Sequence, residues 1–227
     1  MTSRVFVTGT DTEVGKTIVA RAITRAAARR GLKVRAIKPV ESGAPIVDGR
    51  PSPLDASALA QAAEGPGAEA AFAYGLRDPV SPHLAAARDG VEIELAPILA
   101  LLEEAERGAD VVIAEGAGGL MVPLSGSLLF ADVIARTGYR LVIVAPNVLG
   151  TINATLLTIE AARARGIPLA GVILNGTPDA DMGNADAISR FGETAILGEM
   201  PTARSLDDET LAGLAEAHLD LDQLFKH

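Results

Sequence analysis

Residues 9–17 read Gly9-Thr10-Asp11-Thr12-Glu13-Val14-Gly15-Lys16-Thr17, directly behind the apolar run Val5-Phe6-Val7. This order predicts a buried strand, a glycine-rich turn and a helix that opens at Gly15-Lys16-Thr17. Such a turn points successive backbone N–H groups inward and adds the positive end of a helix dipole, which makes a nest for phosphate oxygens. In that reading Lys16 neutralises the terminal phosphates and the Thr17 hydroxyl ligates Mg²⁺. Five residues, Thr10 to Val14, separate Gly9 from Gly15, one more than the usual four. A Gly-Lys-Thr triplet alone is common; its place between a buried strand and a helix carries the reading.

The same alternation continues along the chain. Apolar runs at 5–7, 34–37, 111–114, 141–145 and 169–174 read as buried strands, with 194–197 a weaker one. Helical patterns lie between or beyond them near 16–30, 54–64, 97–107, 152–165 and 205–217. Strands alternating with helices predict βαβ crossovers, hence an α/β fold with a mostly parallel sheet and helices on both faces. The Gly/Pro/Ser-rich stretch 39–53 reads as a functional loop too polar and broken for a core element. Segment 65–96 reads as irregular, broken by Pro79, Pro82 and Gly90. A length of 227 residues suits one domain, taken as 1–227, with a substantial core.

Composition narrows the function. Hydrophobic residues make up 48% of the chain, as a sheet covered on both faces requires. A net charge of −9, with no Lys/Arg-rich tract, argues against general nucleic-acid binding. The absence of cysteine excludes disulfides, thiolate nucleophiles and Cys-ligated metal or iron–sulfur sites. His83, His218 and His227 are scattered without zinc spacing. No basic n-region or apolar h-region precedes the first strand, and no stretch has the apolar length of a membrane span. The expectation is a cytoplasmic soluble enzyme or ATPase, with no membrane and no nucleic-acid partner. Only four residues are lysine (Lys16, Lys33, Lys38, Lys226) against sixteen arginines, and two of the four fall at expected chemistry. A compact ammonium does there what a planar guanidinium cannot.

In parallel sheets ligands bind beyond the carboxyl ends of the strands. Lys38 ends a strand expected to lie beside the phosphate loop; it reads as a cation for developing negative charge, or as a solvated strand end. Ser42, next to Gly43, either bonds a ligand or makes a turn. Asp55 opens a helix behind Pro53, where it serves the helix dipole or, with a second carboxylate, Mg²⁺. Glu115 supplies that second carboxylate: it follows a hydrophobic run and precedes Gly116-Ala117-Gly118-Gly119. Thr151 or Asn153 caps a helix after Gly150, and the same free N–H groups suit a carboxylate. Asn175 ends another run without the Lys and Asp of a guanine-reading loop, and its amide suits an adenine edge.

These segments in order, GTDTEVGKT, KPVESG, EGAGGLMVPL, NVLGTINAT and Asn175, closely resemble dethiobiotin synthetase of biotin biosynthesis over roughly residues 5–201. The longer phosphate loop is that family's own. The resemblance implies a P-loop NTPase-like fold and a homodimer. The implied reaction is an ATP- and Mg²⁺-dependent cyclo-ligation that joins CO₂ to 7,8-diaminononanoate (diaminopelargonate). One amine takes up CO₂ as a carbamate, ATP converts this to a mixed anhydride, and the second amine closes the ureido ring.

The resemblance also implies roles for individual residues. Lys16 falls to phosphate stabilisation, and Thr17, Asp55 and Glu115 to Mg²⁺. Lys38 and Thr12 fall near the carbamate and γ-phosphate, and Ser42 on a substrate contact. Gly150, Thr151, Ile152 and Asn153 match a helix start that receives the substrate carboxylate in the neighbouring subunit's site. Nucleotide contacts fall on Glu13, Val14, Gly15, Lys16, Thr17 and Ile18, on Glu115, Gly116, Ala117 and Gly118, on Asn175 and Gly176, and on Pro201, Thr202 and Ala203. After Pro201 the chain lacks the aromatic often found there, and the acidic tail 205–222 matches poorly. A partitioning ATPase of the same fold would carry a second lysine early in the phosphate loop, where this chain has Thr10, Asp11 and Thr12. A small-molecule kinase on the same loop is the other rival.

Overall fold

Strand β1 (Ser3–Gly9) leads through the glycine-rich turn into helix α1 (Lys16–Arg29), the arrangement its sequence predicts. The computed structural model describes residues 2–65, 67–178 and 182–226; His227 lies outside the described residues. Beyond α1 the chain forms β2 (Val34–Ile37), β3 (Val40–Ser42), β4 (Ile46–Val47), β5 (Arg50–Pro51), α2 (Leu54–Glu64), β6 (Tyr74–Leu76), α3 (Pro82–Asp89) and α4 (Leu95–Glu106). The rest comprises β7 (Val111–Gly119), α5 (Phe130–Thr137), β8 (Arg140–Pro146), α6 (Thr151–Arg163), β9 (Leu169–Asn175), α7 (Asn184–Gly192), β10 (Ile196–Met200), α8 (Asp208–His218) and α9 (Leu221–Leu224).

Six strands form the central sheet in the order β10-β9-β8-β1-β7-β2, and every neighbouring pair is parallel. Side-chain alternation divides the core between the two faces. Val5 and Val7 of β1 pack with Val19 and Ile23 of α1, Leu59 of α2 and Leu211 of α8. Phe6 between them packs on the opposite face with Phe130 of α5, Ile98 and Leu102 of α4, and Ile188 of α7. Each fully buried aliphatic or aromatic side chain contributes roughly 1.5–3 kcal/mol relative to exposure, so both layers are needed to hold the sheet.

Three features differ from the sequence reading. First, β7 and not β2 lies beside β1, so Lys38 is one strand farther from the phosphate loop than expected. Second, β7 runs through the glycines to Gly119, and Glu115 pairs with Val7 inside the sheet instead of standing in a loop. Gly116 lets the strand pass close to Phe6: a Cβ there would lie 3.2 Å from the Phe6 ring, a tight contact in this packed core. Third, residues 39–53 are not wholly a polar loop. Val40 and Glu41 are buried, and β3 pairs in parallel with β6, inside the segment that read as irregular.

The acidic tail is a packed element. Asp208, Glu209 and Glu216 of α8 pair with Arg21, Arg25 and Arg29 of α1 at 2.8, 2.6 and 3.3 Å. Exposed pairs of this kind contribute about 0–1 kcal/mol each, so Leu211, Ala212 and Ala215, buried beneath them, do more to seat the helix.

Candidate active site

A cleft of about 760 Å³ opens at the carboxyl ends of β1, β7 and β2, a size suited to small-molecule ligands. Its lining contains Thr12, Gly15, Lys16, Thr17, Lys38, Ser42, Asp55 and Glu115, gathered from four separate parts of the chain. The phosphate loop holds two left-handed positions, Glu13 at φ 59° and Gly15 at φ 91°. Gly15 has no alternative there: a Cβ would sit 2.1 Å from the Asn175 side-chain nitrogen. Asn175 donates to the Val14 carbonyl at 3.1 Å, so it braces the loop from the end of β9. Lys16 donates to the Asp11 carbonyl at 2.8 Å across the turn.

The densest chemistry lies one strand away. Lys38 is only 5% exposed and its ammonium bridges the carboxylates of Asp55 and Glu115, the latter at 3.0 Å. The Thr17 hydroxyl donates to the same Glu115 Oε1 at 2.8 Å. Glu115 Oε2 is buried and has no hydrogen-bond partner among the described residues. Complete burial pushes the Glu115 carboxyl above the usual range, with Lys38 pulling it back. Burial disfavours the Lys38 ammonium, but Glu115, Asp55 and their hydrogen bonds outweigh it and hold the pKa above the ordinary lysine value. Lys16, without so close an anion, is pulled below that value by burial.

Burial removes the solvated strand-end alternative for Lys38. Glu115 is likewise not a solvated loop residue, because the two are buried against each other. The Asp55 carboxylate engages Lys38. Not all expected residues converge, however. Asn175 and Gly176 lie with Thr202 on the other side of the phosphate loop, where Thr177 and Thr202 exchange two 3.1 Å hydrogen bonds. Gly150 and Asn153 are exposed, and neither they nor Ile152 line the main cleft. Glu41 was missed: it lines the cleft and is 5% exposed. A glutamate three residues after Lys38 is the one sequence signal that marked it.

An orphaned, buried carboxylate oxygen beside a hydroxyl fits a divalent cation. Among the described residues no cluster of three His, Cys, Asp or Glu stands ready as an all-protein cage. Mg²⁺ needs none, since it is usually held by one or two carboxylates together with substrate phosphates. Thr17, Glu115 and Asp55 next to the phosphate loop are a donor set of that kind.

The family model described as an AAA domain matches residues 3–210. The chain is 41% identical over 211 residues to the ATP-dependent dethiobiotin synthetase BioD of Aromatoleum aromaticum, covering 91% of this chain and 94% of that protein. It is 42% identical over 220 residues to the protein of the same name from Rhodopseudomonas palustris, covering 96% of this chain and 95% of that one. The chain belongs to the dethiobiotin synthetase family. It is a dethiobiotin synthase, a ligase that consumes ATP in biotin biosynthesis. Its fold is P-loop NTPase-like. A ParA family ATPase from Chlorobium tepidum superposes with a TM-score of 0.56 at 16% identity, covering 95% of this chain and 92% of that one. A chain of the MinC:MinD cell division protein complex of Aquifex aeolicus gives 0.58 at 15% identity, covering 93% and 86%. That likeness is one of fold alone. Among the described residues no helix is long and apolar enough to cross a membrane.

Proposed function

We propose that the protein joins CO₂ to 7,8-diaminononanoate and closes the ureido ring of dethiobiotin, with release of ADP and phosphate. The observation that carries this reading is the buried Lys38 held between Asp55 and Glu115, in one cleft with Lys16 and Thr17. The substrate brings its own amines, so no protein nucleophile is needed, and catalysis reduces to positioning and charge stabilisation. One amine adds CO₂ as a carbamate, with Lys38 and Thr12 beside it. The carbamate oxygen attacks the γ-phosphorus of ATP and ADP leaves, while Lys16 holds the transferred phosphoryl group. The second amine then attacks the carbonyl of the mixed anhydride, phosphate departs and the ring closes. Ser42, also on the cleft wall, hydrogen-bonds the substrate. Thr17, Asp55 and Glu115 would hold Mg²⁺, which when bound supplies charge neutralisation at the phosphate oxygens. Asn175 and residues 201–203 read the adenine side. The reading covers one ligase domain over 1–227, working in the cytoplasm where its ATP is supplied.

ATP hydrolysed only when diaminononanoate and bicarbonate are both present, with one dethiobiotin formed per phosphate, is the expected result. Steady hydrolysis indifferent to the diamine would instead favour a switch ATPase.

The second part of the proposal is a homodimer with a shared site. Helix α6 begins at an exposed Gly150 in the left-handed region, outside the chain's own cleft. Thr151 Oγ1 is buried there with no hydrogen-bond partner among the described residues. Free N–H groups at such an end suit a carboxylate, and this end is presented to a neighbour. Lys38→Ala and Asn153→Ala subunits, each inactive alone, are therefore expected to regain one working site per heterodimer when mixed. Proven subunit exchange with no recovered turnover would count against sharing.

A further inference from the structure

Helix α2 starts behind Pro53, whose side chain makes no cap hydrogen bond. The first N–H groups of a helix have no intrahelical partners and must find them elsewhere. Here the partner comes from another strand. Glu41 of β3 accepts from the Asp55 N–H at 3.1 Å through Oε1 and from the Ala56 N–H at 2.9 Å through Oε2. An anion at a helix N-terminus is favoured by the dipole, which offsets the burial of this carboxylate.

Asp55 is thus gripped twice by one short segment. Lys38 holds its carboxylate and Glu41 holds its backbone. The segment is itself fixed, since Val40, Glu41 and Ser42 pair with Tyr74, Gly75 and Leu76. Gly75 in turn seats the turn before α2: a Cβ there would lie 2.7 Å from Pro51 and 3.0 Å from Pro53. We propose that Glu41 is a positioning residue for Asp55, setting where that carboxylate meets the divalent cation. The inference rests on the reading of Asp55 as a metal ligand. Both Glu41 oxygens are committed to backbone N–H groups, which favours this role over a direct contact with substrate.

The test uses the full chain with stoichiometric ADP and Mn²⁺ as a paramagnetic stand-in for Mg²⁺, read by loss of the free-ion EPR signal. Partners outside the ligand sphere usually change metal affinity or activity about 10–100-fold. Glu41→Ala is expected to weaken Mn²⁺ binding by about 10-fold, and Glu41→Gln, which keeps one acceptor, by about 3-fold. Metal-free ADP affinity should not change. The Mg²⁺ concentration for half-maximal turnover should rise in parallel, while kcat at saturating Mg²⁺ stays within about 2-fold of the parent. A purely structural role would lower the melting temperature and leave these affinities alone. Equal losses in both variants would point to the missing charge and overturn positioning. Unchanged Mn²⁺ binding in both, with Asp55→Asn weakened, would overturn it directly. Unchanged binding in Asp55→Asn would remove the metal-ligand reading, and the inference with it.

Discussion

Lys38→Ala is expected to fold, to bind ATP and to lose at least ~10² in turnover with the diamine. In the proposed reaction carbamate and γ-phosphate would add their negative oxygens to the two carboxylates, and Lys38 is the buried cation already held between those carboxylates. Removing one preorganised donor to a developing anion is worth roughly 2.7–4 kcal/mol, or ~10²–10³ in rate. Lys38→Arg should fail similarly, because the planar guanidinium is larger and aims its donors along a fixed fork. The metal-free state supplies a second readout. Without the ammonium, Glu115 faces Asp55 with no cation between them, and breaking a buried pair costs about 3–5 kcal/mol when the remaining charge is uncompensated. Mg²⁺ with ADP should therefore raise the melting temperature of Lys38→Ala more than that of the parent chain. Near-normal turnover in Lys38→Ala would mean that the reaction's charge is stabilised elsewhere.

What the sequence disclosed and what it hid divide along a physical line. Local signals located the strand–turn–helix at the phosphate loop, and the central strands β1, β2, β8 and β9 begin and end within about two residues of their apolar runs. These features depend on neighbours in the chain. The order of strands does not: β7 between β1 and β2 is a tertiary choice, and it is what lets Lys38 meet Glu115. Strands β3 and β6 are three residues each and some thirty residues apart in sequence. No periodicity survives over so few positions, so Val40 and Glu41 read as loop. Helices α3, α5 and α7, of eight, eight and nine residues, were missed because they span barely two turns, although α5 and α7 keep a clear apolar face. Residue types at Lys16, Thr17, Asp55 and Glu115 pointed to phosphate and metal chemistry before any fold was known. The bridge made by Lys38 and the grip of Glu41 on α2 appear only when distant segments meet.

Glu115→Gln is expected to keep the fold and lose at least ~10² of the Mg²⁺-dependent activity, given that partners outside the ligand sphere alone are worth 10–100-fold. The geometry says how. Glu115 Oε1 already accepts from Thr17 and Lys38 at 2.8 and 3.0 Å. A glutamine keeps those bonds by placing its oxygen there, which puts its NH₂ where the unpartnered Oε2 stands. The position open to a cation then presents donors, and a cation is repelled. Stability of the metal-free protein should fall only in part: relief of a fully buried carboxylate is set against the loss of one of the two anions that hold the buried Lys38, which keeps Asp55. The two effects must therefore separate: a metal-free protein that still unfolds cooperatively with a melting temperature no lower than that of Lys38→Ala, and a Mg²⁺ titration of turnover that shifts to far higher concentration or never saturates. Glu115→Asp, with the charge kept but the stem one carbon shorter, should fall between the two. A nucleotide-bound structure with the Glu115 carboxylate remote from the metal and no bridging water, or a Glu115→Gln enzyme with the parent's Mg²⁺ dependence, would sink the assignment. The orphaned oxygen would then be a buried acceptor to be explained by packing alone.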